Sequence, residues 1–324
     1  MDLTLNDEQQ ALRAGLREYL AGRWTADRLR AAASDSAPGG GAAWKELAGL
    51  GVFGLIAPAA VGGLALSLAD AAIACEELGA ALVPGPLVPS ILAAGLVDGA
   101  ADGDAVVTML DTAGGVPLLE HPGIATHVIV VDAAGLFLRP RSAVAAAPAA
   151  TPLDPLTPVA LVPDGDQPHG ERIGTAADAA DWRLRGTVLT AALQVGVARG
   201  GLDLAVRYAR ERMQFGRLIG SFQAVKHLLA ESLARVELAR AAVLAAAVTA
   251  DDPEAGDPAE AAAAAKLLAD DAATTGGRTC VQVHGGMGFT WEVLAHLYLK
   301  RAWVHETAFG PADQHANFLA DRLA

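Results

Sequence analysis

The spacing of apolar positions along the chain changes character twice. Over the first hundred residues it is helical. Asn6 is placed to cap a helix whose apolar face runs Leu12, Leu16, Tyr19, Leu20. A second helix includes Trp44, Leu47 and Leu50, and a third runs over about residues 66–79 with the adjacent acids Glu76 and Glu77. Pro84, Pro86 and Pro89 mark a turn before a short helix at about residues 90–96. Between residues 101 and 182 the helical period is lost. THVIVVD (126–132) is a β-branched run of strand length, and AVVTML (105–110) and LFLRP (136–140) are weaker strand candidates. The stretch at residues 164–172, PDGDQPHGE, reads as a short disordered loop.

From residue 187 the helical period returns. One helix is expected over about residues 187–212, with Gly196, Gly200 and Gly201 inside it. Glycine is costly in a helix, so a close helix–helix approach is the expected reason. QFGRLIGS interrupts it. A helix at about residues 222–250 follows, with Val225, Leu228, Leu229, Leu233, Val236 and Val243 as its expected stripe. DDPEAGDPAE is a linker, and helices at about 259–284 and 292–308 finish the pattern. The reading is mainly α with a small β domain. It has an N-terminal helical domain (1–100), a reduced middle β domain (101–182) and a C-terminal four-helix bundle (183–324).

Composition narrows the function classes. The chain is 52% hydrophobic but only 5% aromatic, which suits closely packed helices. With 24 Lys and Arg against 37 Asp and Glu, the net charge of −13 argues against nucleic acid and against an anionic membrane surface as partners. Cys75 and Cys280 lie far apart, without metal-ligand spacing. The first residues, MDLTLNDEQQ, do not read as a leader, so a cytoplasmic protein is expected. The charge-free run at 47–69 carries Pro58 and five glycines, and reads as a helix end, a turn and a helix start rather than a membrane span.

Two stretches carry candidate chemistry. In RYARERMQFGRLIGSFQAVKHLLAE (207–231), Arg207, Arg210 and Arg212 lead into a turn at Gly216. Composition alone favours a solvated basic face. The sharper reading is an anion clamp, with the planar fork of Arg212 beside backbone N–H groups and the amides of Gln214 and Gln223. In QVHGGMGFTWE (282–292), Gly285, Gly286 and Gly288 allow a ligand to approach the backbone. The preceding segment is helical, which excludes a dinucleotide-binding βαβ unit. The histidines form no metal-binding pair, no serine has a nucleophile-elbow context, and His284 reads as a core histidine.

Together these stretches resemble the acyl-CoA dehydrogenase family. The first is similar to the family's YAxxRxQFGxxIxxFQAVxHxLA signature and the second to QxxGGxGFxxE. EELGAALVPGPLVPS and GLIAPAAVGG extend the resemblance over nearly the whole chain. The resemblance implies an acyl-CoA dehydrogenase-like fold, with FAD as cofactor and an acyl-CoA thioester as substrate. It also implies that one chain holds the adenosine-diphosphate half of its neighbour's FAD. The residues matching that role are Arg212, Gln214, Phe215, Gln223, Gln282, Gly285 and Gly286.

Three departures accompany the resemblance. The family's base is a Glu twenty residues after the Phe of the glycine motif, where this chain has Phe309. Its alternative position, 26 residues before the Arg of the first motif, holds Gly186. The TEP-type loop that holds the flavin ring is replaced by TMLDTAGG (108–115), and the Thr and Gln after the family's Glu-Gly are Pro311 and Asp313. The chain is also short in its middle segment. The pattern resembles the smaller subunits of heteromeric acyl-CoA dehydrogenases of actinobacterial steroid side-chain degradation. There a larger partner brings the Glu and the flavin pocket, in a heterotetramer. Glu306 and Glu292 are the nearest other acids, and both read as surface carboxylates. The readings left open are a self-sufficient homo-oligomer with a displaced base such as Glu306, a flavin oxidase of the same superfamily, and a flavin-free structural subunit. An electron-transfer flavoprotein is the expected electron acceptor.

Overall fold

The computed structural model describes residues 3–35, 38–112, 117–163 and 170–323. In chain order the helices are α1 (Asp7–Arg23), α2 (Ala26–Ala32), α3 (Ala42–Gly49), α4 (Leu68–Ala80) and α5 (Leu87–Ala93). Strands β1 (Val107–Asp111), β2 (Leu118–Glu120), β3 (His127–Val131), β4 (Leu136–Pro140), β5 (Ala147–Pro148), β6 (Val159–Leu161) and β7 (Glu171–Gly174) follow. Then come α6 (Ala176–Glu211), a hairpin of β8 (Met213–Gln214) and β9 (Arg217–Leu218), α7 (Gln223–Asp251), α8 (Pro258–His284), α9 (Ala295–Thr307) and α10 (Ala312–Leu323). The chain divides into two compact units. One comprises residues 1–30, 72–83 and 187–324, and the other 31–71 and 84–186.

In the second unit β1 pairs parallel to β3, and β3–β4 and β4–β7 pair antiparallel. A smaller antiparallel sheet has the order β2-β6-β5. Leu110, Leu119, Val128, Val130, Phe137, Val144 and Val162 form the shared core, and the Thr108 hydroxyl donates to Glu120 O at 2.9 Å. Ser90 of α5 donates to Val107 O (3.0 Å), which holds α5 against β1.

The first unit depends on a close approach of α4 to α6. A Cβ on Gly196 would lie 2.0 Å from Glu76 O, and one on Gly79 would lie 2.2 Å from Leu193 O. Gly200 faces Ala80 O and Tyr298 in the same way, so two of the three glycines for which a close approach was expected (Gly196, Gly200 and Gly201) have that packing reason. Gly201 meets nothing closer than 3.6 Å. The approach brings the buried acids of α4 against three arginines. Arg199 bridges Glu76 (3.0 Å) and Glu77 (2.7 Å), Arg17 of α1 pairs with Glu77 (2.8 Å), and Arg240 of α7 pairs with Glu76 (2.9 Å). Tyr298 and Arg301 of α9 donate to Ala80 O and Val83 O, closing the C-terminal end of α4.

Several sequence expectations need correction. α6 begins eleven residues before residue 187, because Thr175 and Asp178 form a capping box: each backbone N–H meets the other's side-chain oxygen (2.7 and 3.3 Å). α5 begins and ends three residues earlier than expected. On α7 the buried rows are Ser232, Val236, Ala239 and Val243, so Leu228 and Leu233 turn outward at 39% and 50% exposure. α10 was not expected. It lies along α8, where Arg322 pairs with Asp257 and Glu260. Residues 164–169 of the expected loop lie outside the described residues, and Glu171 and Arg172 are in β7 rather than in that loop. Cys75 and Cys280 are buried and free, and burial pushes both thiols up to about 12, so neither is a nucleophile. α6 alone among the described helices is long and apolar enough to cross a membrane, but 83% of its most apolar window is buried inside the protein.

The acid–arginine cluster makes a graded prediction. Arg199→Met leaves two buried carboxylates short of a partner and should cost about 3 kcal/mol. Arg17→Met, at a half-exposed residue, should cost about 1 kcal/mol or less. Urea unfolding of the two variants checks the order; equal losses would contradict it.

Candidate functional site

The first motif builds a short projection from the end of α6. Arg212 N–H still bonds Tyr208 O (2.9 Å), and the chain then enters the β8–β9 hairpin. Its two turn residues, Phe215 and Gly216, have φ of +51° and +75°. Two consecutive left-handed residues match the twist of a two-residue hairpin, where Asn-Gly is the preferred pair. Phenylalanine there is strained by about 1–2 kcal/mol, yet the residue is 92% exposed. That strain is not offset by burial of the side chain. The Phe222 ring meets Phe215 edge-on at 6.2 Å, and the Arg217 guanidinium sits 3.9 Å over Phe222.

Ile219 N–H returns to Arg212 O (2.8 Å), so the projection closes on itself and sets Arg212 near the start of α7. α7 begins at Gln223 with no side-chain cap. Its first-turn N–H groups therefore point outward without a side-chain acceptor from the chain, at the positive end of a 29-residue helix. Arg212, Gln214, Phe215 and Gln223 are all exposed. A guanidinium and an open helix N-terminus together suit an anion such as a diphosphate.

The second motif ends α8. Gln282 is exposed on its last turn, and Gly285 (φ +62°) turns the chain into a short 3-10 segment, Gly285–Phe289. A Cβ on Gly285 or Gly286 would meet nothing within 4 Å, whereas one on Gly288 would lie 2.7 Å from Val281 O. Gly288 is thus required by packing, while the first two glycines leave an open backbone surface. His284 is buried, stacked on Tyr208 at 4.3 Å, with Nδ1 2.8 Å from Cys280 O; it is a core histidine. Arg30 of α2, oriented by Asp27 (2.7 Å), donates to Trp291 O (2.7 Å) and Glu292 O and holds the exit of the turn. The two motifs lie on one apolar cluster. Ala205 and Ala209 of α6 pack with Cys280, Val281 and Val283 of α8, flanked by Ile219, Val225 and Leu229.

A buried charge cluster, which the sequence reading passed over, sits under the end of α9. Lys266, fully buried, pairs with Asp270 at 2.6 Å and donates to His305 O and Glu306 O, both at 3.2 Å. Gln194 donates to Asp270 (2.9 Å) and to Ala302 O (2.9 Å). A cation on the last carbonyls of a helix complements its dipole. The only sequence signal was a Lys and an Asp four apart in an Ala-rich helix. Burial pushes the Asp270 carboxyl up to about 6, and the Glu306 charge adds to that rise.

Comparison with known proteins fits both motifs. The description of the acyl-CoA dehydrogenase C-terminal domain matches residues 184–324, and that of the N-terminal domain matches residues 6–100. The chain belongs to the acyl-CoA dehydrogenase family. It is 36% identical over 309 residues to the acyl-CoA dehydrogenase IpdE2 of Mycobacterium tuberculosis, covering 93% of this chain and 92% of that one. Among solved structures it is similar to the Tcur3481-Tcur3483 steroid acyl-CoA dehydrogenase (TM-score 0.86, 26% identity, 98% of both chains). The ChsE4-ChsE5 complex of Mycobacterium tuberculosis has the same fold (TM-score 0.85, 24% identity, 100% of this chain and 99% of that chain).

The two positions at which the family resemblance expects a base lie just after α9 and within α6. Phe309 follows α9 with φ of +57°, and its carbonyl lies 3.1 Å from His315 Nε2. Gly186 is a buried residue within α6. Glu306 is partly buried on the last turn of α9, and it is its carbonyl that Lys266 engages. Glu292 is exposed. At the end of β1, Asp111 forms a two-pronged ion pair with Arg183 of α6, with Nε–Oδ2 and Nη2–Oδ1 both 2.9 Å. Arg183 also donates to Val131 O (3.1 Å) and Asp132 O (3.5 Å) of the neighbouring strand end.

Two outcomes follow. Phe215→Asn should raise stability by about 1 kcal/mol by relieving the left-handed strain; a lower urea midpoint would contradict this. The second concerns pH. Because the folded-state pKa of Asp270 lies above its unfolded value, its contribution is full below about pH 4 and is lost as pH rises through about 6. The stability of the wild type relative to Asp270→Asn should therefore fall by about 2–3 kcal/mol over that window and then level off. A flat difference in pH-dependent urea unfolding would refute it.

Proposed function

We propose that this chain is the FAD-completing subunit of a heteromeric acyl-CoA dehydrogenase that oxidises an acyl-CoA thioester at its α,β bond. The observation that carries the reading is a contrast. The exposed residues of the two motifs suit the diphosphate end of a neighbour's FAD, while Phe309 and Gly186 stand where a base would be needed. Arg212 would donate its fork to the diphosphate, and the open N–H groups of α7 would share the charge. The amides of Gln214, Gln223 and Gln282 would bond the adenosine half, Phe215 would offer an aromatic face, and the turn at Gly285 and Gly286 would admit the cofactor to backbone contact. Bound FAD supplies the acceptor for the β-hydride.

The base and the flavin-ring pocket belong, on this reading, to a larger partner subunit of the same family. Similarity to two proteins described as two-component assemblies, one of them a steroid acyl-CoA dehydrogenase, supports a hetero-oligomer and a steroid-derived thioester as substrate. An electron-transfer flavoprotein is the proposed acceptor of the electrons, and the cytoplasm the proposed compartment.

Co-expression tests the proposal. The chain alone should purify nearly colourless, and with its Glu-bearing partner as a yellow, active complex. In that complex Arg212→Ala should weaken FAD binding by roughly tenfold to a hundredfold, the loss of one charge-assisted contact. A yellow, active homomer, or an unchanged FAD affinity in the variant, would overturn it.

A further inference from the structure

Loss of a base would leave an inactive but open site. The geometry at the end of β1 points further. We infer that the Asp111–Arg183 ion pair fills the place where this chain's own β unit would seat a flavin ring, so that the site is obstructed as well as baseless. The inference rests on the family reading proposed above for the TMLDTAGG segment and for Gly186.

Four observations converge. Asp111 is the last residue of β1 and lies within the segment that replaces the family's ring-holding loop. Arg183 precedes Gly186 by three residues on α6, so the two share a helix face one turn apart. Arg183 thus reaches the end of β1 from the face of α6 on which the alternative base would stand. The planar guanidinium uses both oxygens of Asp111 and adds the carbonyls of Val131 and Asp132, four acceptors from two neighbouring strand ends. The two side chains are only 28% and 23% exposed. A neutral aromatic ring placed there would have to separate a charge pair that is three-quarters buried, and it would find the nearby carbonyls already occupied by a cation.

The pair also acts as a strut. It ties β1, the end of β3 and the first part of α6 together. The β1–β3–α6 junction therefore stays fixed without cofactor.

The test uses lumiflavin, a flavin ring without ribityl chain or diphosphate. It bypasses Arg212, so its outcome is independent of whether the chain completes a partner's FAD site. Titrated with the purified chain, lumiflavin should keep its fluorescence, because the wild type excludes the ring. Asp111→Ala combined with Arg183→Ala should give a saturable quench with at least about tenfold stronger binding. The charge swap Asp111→Arg with Arg183→Asp should exclude the ring again. Arg183→Leu, which keeps bulk but frees the carbonyls, covers the case in which the double alanine does not fold; it should bind more than the wild type and less than the double alanine. Saturable quenching by the wild type would overturn the inference. So would a folded double alanine, or a folded Arg183→Leu, that binds no more lumiflavin than the wild type.

Discussion

Two adjacent carboxylates in the interior of the helical unit set the terms for everything built on it. Glu76 and Glu77 are buried on α4, where an acid without a partner is costly. Their partners come from three other helices: Arg17 of α1, Arg199 of α6 and Arg240 of α7. The geometry works only because Gly79 and Gly196 let the α4 and α6 backbones approach to a distance that any Cβ would block. Rotation or sliding of α6 would break two ion pairs at once. Since α6 runs on into the β8–β9 hairpin, and α7 starts where that hairpin returns, the cluster also fixes where Arg212 and the open end of α7 are presented.

Much of this was legible in the sequence. Asn6 does cap α1, with Gln9 answering it in a capping box. THVIVVD contains β3, and the glycines at 196 and 200 signalled a close helix approach. Those features are local, or depend on one residue type with one physical meaning. What escaped was mostly long-range. The partners of Glu76 and Glu77 are distant in sequence, as are Asp111 and Arg183, and no spacing rule connects such pairs. α10 was missed because its residues are mostly exposed and its tie to α8 runs through Arg322 rather than an apolar stripe. The early start of α6 was readable from TAAD, but Gly186 and the charges around it masked the period. The outward turn of Leu228 and Leu233 shows the opposite error: an apolar stripe was drawn wider than the face that packs.

The chain spends its unusual features on one side of a shared chemistry. The exposed Phe215 in a left-handed turn, the uncapped α7 and the open glycines after α8 are all unfavourable or unneeded for folding. All three lie on the exposed side of the two motifs proposed to meet a neighbour's cofactor. At the expected base positions stand a phenylalanine and a glycine, and at the end of β1 an ion pair whose partners satisfy each other. The buried Lys266 holds the end of α9 through His305 O and Glu306 O, the latter three residues before Phe309.

The central claim is that this chain completes a flavin site it does not itself contain, and it reduces to a count. In the purified complex with the Glu-bearing partner, the ratio of FAD, measured by its visible absorbance, to the two polypeptides measures it. The account predicts one FAD for each pair of unlike chains. Two FADs for each pair, one on every chain, would contradict it.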